Sequence, residues 1–84
     1  MRLSELKVKQ TAVIRKVHRT LDGTTQSDII ASRLETLGFT PGTQVEVITK
    51  GIFGGDPILI QIGFTRFALR KVEAHKIEIE GVAA

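Results

Sequence analysis

A chain of 84 residues without cysteine has room for one domain, residues 1–84, and cannot reinforce its core with disulfides or thiolate-held metal. The net charge of +3 comes from 12 basic and 9 acidic residues interleaved in sign, and four Phe with neither Trp nor Tyr offer little for stacking bases, so no nucleic-acid partner is expected. No stretch approaches the roughly 18 apolar residues of a membrane span, and Glu5 sits where a secretory leader would be basic and apolar, so a cytoplasmic protein without membrane insertion is expected.

Leu3 and Leu6 read as the apolar anchors of a short helical turn or extended lead-in. Residues 11–17 (T-A-V-I-R-K-V) are β-branched and form the first predicted strand. Residues 18–25 are a polar loop with a turn signal at Asp22-Gly23. Ser27 or Asp28 then caps a helix, because a short side-chain oxygen can accept from the free N–H groups of the first turn. Ile30, Leu34 and Leu37, spaced by four and three, share one face of that helix, and Arg33 and Glu35 fall outside it. Gly38 ends the helix by taking a left-handed conformation. Pro41-Gly42 is a tight turn.

The second half reads as β-structure. In residues 44–49, Val45 and Val47 alternate with Glu46 and point inward. Residues 50–55 (K-G-I-F-G-G) read as a loop carrying Ile52 and Phe53 at its tip, with Asp56-Pro57 completing the reversal. Ile58, Ile60 and Ile62 share a face of a strand at 58–62. Residues 65–69 pair with it across Gly63-Phe64, with Phe67 and Leu69 inward. Residues 70–75 form a helical turn too brief to stand alone. The last strand is 76–80, with Ile77 and Ile79 inward, followed by a frayed tail at 81–84. The expected fold is mainly β: a small SH3-like five-stranded barrel with one short α-helix, the OB-fold being the competing five-stranded barrel.

Reactive groups are sparse. His18 and His75 are the only histidines, and neither has a second strong ligand at metal-binding spacing. Glu78 and Glu80 fall on an outward strand face, and Asp56 lies in a turn. Gly51, Gly54 and Gly55 lack the Lys-Ser/Thr that a phosphate-binding loop needs. No catalytic, cofactor-binding or metal-ligating residue is assigned, and an enzyme is not expected. His18, Asp56, Glu73 and His75 are ligand types that ferrous iron accepts, but only their convergence would make a site. Weak divalent-metal binding by surface imidazole and carboxylate groups is the expected extent of metal chemistry.

The order R-L-E-T-L-G-F-T-P-G at 33–42, V-E-V-I at 45–48, G-G-D-P-I-L-I at 54–60 and A-L-R-K-V-E-A at 68–74 resembles the FeoA family of bacterial ferrous iron uptake. The resemblance spans nearly the whole chain. It departs at residues 18–27, which are longer and more polar than the tight glycine-containing connection of that family. The same motifs are similar to the C-terminal SH3-like domain of iron-dependent repressors of the diphtheria toxin repressor type. The resemblance implies a cytoplasmic accessory protein that docks on the GTP-binding region of the FeoB transporter and modulates nucleotide cycling or transport. Candidate partner-binding residues are Arg33, Ile52, Phe53 and Arg70. Either arginine has the chemistry to complete a GTPase site in trans, and exposed Ile52 and Phe53 would favour weak self-association. The alternatives are a metal-responsive module and, from the pI near 9.7, a nucleic-acid-binding barrel.

Overall fold

Alternation of inward apolar and outward polar residues, with period two, builds the core of the protein. In the computed structural model, residues 1–18 and 25–83 are described, apart from the side chains of residues 25–28, 52 and 53. A 3₁₀ turn at Leu3–Glu5 leads to β1 (Thr11–Val17), α1 (Thr25–Thr36), β2 (Gln44–Phe53), β3 (Asp56–Ile62), β4 (Thr65–Leu69), α2 (Lys71–Ala74) and β5 (Ile77–Ala83). The strands form one five-stranded sheet in the order β4-β3-β2-β1-β5, and every neighbouring pair is antiparallel. Register shifts in β1 against β5, and at two places in β2 against β3, bend the sheet around its contents.

The inward residues are those the alternation selects. Ala12, Ile14, Val45, Val47, Ile58, Ile60, Leu69, Ile77 and Ile79 are buried in one cluster with Leu3, Leu6 and Leu34. Ile30 and Leu37 pack against that cluster from the same face of α1. The fold is thus the SH3-like barrel expected, with α1 laid on it and α2 linking the two edge strands.

Helix α1 stops in a Schellman arrangement. Gly38 N–H donates to the Glu35 carbonyl at 3.1 Å, and Phe39 N–H donates to the Leu34 carbonyl at 3.0 Å. Gly38 takes φ +111°, and a Cβ there would meet open space. The penalty of a side chain is therefore conformational and not steric. Gly38→Ala should lose about 1 kcal/mol of stability, read as a shift of the urea midpoint with an unchanged slope.

Three expectations are corrected. Residues 50–53 are not a loop: β2 runs through Phe53, which pairs with Asp56, so Ile52 and Phe53 lie in a strand and Asp56 opens β3. Gly54 and Gly55 alone make the reversal, at φ +65° and +84°. That combination matches the twist of the flanking strands, so pairing continues up to the turn. The tail is not frayed, because Ala83 pairs with Thr11 at the start of β1. Helix α1 begins at Thr25, so Ser27 and Asp28 lie inside it; their side chains, and the turn expected at Asp22-Gly23, fall outside the described residues.

Candidate functional site

A helix of four residues leaves most of its backbone donors without internal partners, and α2 finds them nearby. Glu73, the third residue of α2, turns back so that its Oε1 accepts the Arg70 N–H at 2.9 Å. Asp56 Oδ1 at the head of β3 accepts the Lys71 N–H at 3.0 Å. At the other end, the Arg2 guanidinium donates to the His75 carbonyl at 2.9 Å. Two segments distant in sequence, the start of the chain and the head of β3, thus fix α2 in place. Within α2, Ala74 is buried and Val72 stands exposed.

The surface beside α2 is a shallow depression of about 400 Å³ lined by Ser4, Asp56, Lys71, Val72 and His75. Asp56 also lines a neighbouring depression of about 310 Å³ with Pro57, Ala68 and Arg70. The sequence-selected residues do not share one lining. Arg70 lines the second depression. Arg33 reaches across from α1, its Nη1 3.8 Å from Glu73 Oε2 on α2. Ile52 and Phe53 close β2 at the same hairpin, with Phe53 in register with Asp56; their side chains are outside the described residues. Val72, and Phe64 at the tip of the β3–β4 hairpin, are exposed apolar residues that alternation alone did not single out.

The groups with catalytic or ligand chemistry are dispersed. Ser4 Oγ and His75 Nδ1 lie 3.2 Å apart, a distance suited to a nucleophile and its base. No hydrogen bond from a described residue orients the other imidazole nitrogen. His18 is engaged elsewhere, its Nε2 2.7 Å from Glu78 Oε1. Among the described residues, no three His, Asp or Glu side chains are grouped so as to hold a metal ion. His18, Asp56, Glu73 and His75 are not brought together as one ligand set.

Glu78 bridges β1 and β5. Its hydrogen bond to His18 is the main reason its carboxyl lies below the ordinary value of 4.5; partial burial opposes the shift, and the charges of Arg15, His18 and Lys16 reinforce it. A depressed folded-state pKa means that the unfolded chain takes up the proton first. The stabilisation is therefore complete above pH 4.5 and is lost as pH falls through the lowered folded value. Glu78→Gln should flatten the acid limb of a melting-temperature profile below about pH 5. An acid limb as steep in the variant as in the wild type would assign the loss to other carboxylates.

Fold and surface together define a class: an SH3-like barrel that offers open, shallow contact faces. The family model for the FeoA domain matches residues 1–81, and the chain belongs to that family, one of ferrous iron transport accessory proteins. It is 44% identical to a FeoA of Stenotrophomonas maltophilia solved as a complex with zinc, covering 95% of this chain and 89% of that one with a TM-score of 0.82. That relative is described as an SH3 domain protein and a candidate activating factor of bacterial ferrous iron transport. Iron(II) transport protein A of Clostridium thermocellum is 32% identical over 95% of this chain and 44% of that one, with a TM-score of 0.77. ScaR, solved with bound Cd2+, matches at 19% identity over 95% of this chain and 34% of its own, with a TM-score of 0.73, a likeness of fold alone. No curated protein matches the chain. No helix among the described residues is long and apolar enough to cross a membrane.

Proposed function

We propose that this chain is a non-enzymatic, cytoplasmic accessory protein of ferrous iron uptake that docks on the GTPase region of the FeoB transporter through the surface around α2. The observation that carries the reading is the 44% identity, over 95% of the chain, to a relative described as a candidate activating factor of that transport. Asp56, which lines one depression with Arg70 and the next with exposed Val72, supports the choice of surface. A shallow face with an apolar centre and charged margin suits a protein partner. The protein works without a cofactor of its own, and any divalent ion binds weakly at surface imidazole and carboxylate groups.

The test is retention of the transporter's cytoplasmic GTPase domain on immobilised protein, with and without nucleotide, followed by GTP turnover. The wild type should retain the domain. Val72→Asp, which places a charge at the centre of the face, should weaken retention about tenfold or more. No retention in either nucleotide state, with the membrane-embedded transporter also negative, would overturn the reading.

A further inference from the structure

The two edges of the sheet are treated differently. On β5, Ile79 N–H donates to the Met1 carbonyl at 2.8 Å and Arg2 bridges to Glu78, so the chain's own start covers that edge. On the opposite side, β4 pairs with β3 in an unbroken register of five residue pairs, and no described strand lies beyond it. Gly63, at φ +59°, makes the two-residue turn before β4. In such a hairpin the residues flanking the turn exchange hydrogen bonds and their neighbours alternate outward. Arg66 and Ala68 therefore present their N–H and C=O groups to the open side.

An uncovered edge is a template for another strand, and proteins usually blunt it with a bulge, a proline, a cover or charged side chains. Among the described residues β4 has no bulge, proline or cover; charge is what guards it, and charge discriminates between partners. Among the described residues, Arg66 donates only to the neutral Gln61 side chain, at 3.0 Å. Arg70 follows at the end of the strand, and neither arginine is paired with a carboxylate among the described residues. Exposed Phe64 and Val72 stand at the two ends of this stretch. A second copy of the chain would bring the same two arginines to the seam, where like charges repel. An acidic strand would be held by the same arginines.

We propose that the open edge of β4 is a strand-addition site for an extended, acidic segment of a protein partner, held by the outward backbone groups of Arg66 and Ala68 and by the side chains of Arg66 and Arg70. The site deepens the reading of the chain as a docking module, but its test does not need the transporter. The full chain, isotope-labelled for amide NMR, is titrated with a short peptide alternating Glu with Thr and Val, and with the same peptide carrying Lys in place of Glu. The acidic peptide should shift the Arg66 and Ala68 amides and slow their exchange, with affinity falling steeply as salt rises; the Lys peptide should do neither. Ala68→Pro removes an outward donor at an edge position that tolerates proline and should weaken binding about five- to tenfold. Arg66→Glu with Arg70→Glu, its fold checked in the same spectra, should reverse the preference between the peptides. Acidic-peptide shifts that are absent or map elsewhere would overturn the proposal. So would protection of the two amides that rises with protein concentration alone, which would make a second copy the occupant. Equal retention of the FeoB GTPase domain by wild type and Ala68→Pro would overturn β4 as that partner's site and leave the docking reading standing.

Discussion

Phe39→Ala is expected to remove most of the protein's stability. Phe39 is the largest of the fully buried side chains, and its ring lies 5.6 Å from that of Phe67 at an interplanar angle of 56°, a tilted aromatic pair. Its N–H also closes the end of α1 by donating to the Leu34 carbonyl. One ring thus joins the helix stop to β4 across the core. Truncating a buried Phe to Ala typically loses about 3–5 kcal/mol, and a domain of this size has only about 4–13 kcal/mol in hand. The melting temperature should fall by roughly 12 °C or more. Phe39→Leu, which keeps most of the apolar volume, should lose less. A variant Phe39→Ala melting within a few degrees of the wild type would show that the ring is not part of the core.

Periodicity could not find Phe39. It stands between a glycine stop and a proline-glycine turn, where no strand or helix repeat assigns a face, and only the Schellman geometry turns it inward. By contrast Val45, Val47, Ile58, Ile60, Ile77 and Ile79 announce their burial through alternation, and Ile30, Leu34 and Leu37 do so through helical spacing. The errors in strand length share one cause. Whether residues 50–53 and 81–83 are paired depends on β3 and β1, which are elsewhere in the chain, and local composition rich in glycine hides that pairing. Of the surface around α2, Arg70 and Asp56 could be singled out in the sequence, but Val72 and the meeting of these residues in one place could not. Arg33 and Glu73 meet only because α1 is laid on the barrel. Asp56 reads locally as a turn former, whereas its carboxylate holds the first donor of α2. Exposed Phe64 and Val72 carry no sequence signal at all, since nothing in their neighbours distinguishes an apolar residue facing water from one facing the core.

Gly51→Ala should be the most damaging change at the β2–β3 hairpin, and for a reason unlike that of the other glycines there. Gly51 takes no positive φ; what it lacks is room. A Cβ would press on the Asp56 carbonyl oxygen and lie 2.6 Å from the Asp56 carbonyl carbon and 2.9 Å from the Pro57 nitrogen. All three are backbone atoms, so no side chain can swing away and the start of β3 must move. Overpacking of this kind typically loses 1–3 kcal/mol, on the order of a third of the stability of a small domain. Because Asp56 Oδ1 accepts the Lys71 N–H, the displacement should reach α2 and disturb the face that carries Val72 and Arg70. Gly54→Ala supplies the contrast. It strains a residue at φ +65° but meets open space, so it should lose about 1 kcal/mol and leave α2 undisturbed. The Lys71 amide resonance separates the two: it should move in Gly51→Ala and stay in Gly54→Ala. A Lys71 amide unmoved by Gly51→Ala would mean that the head of β3 absorbs the added methyl without passing the shift to α2, and the hairpin would no longer be part of what shapes the docking face.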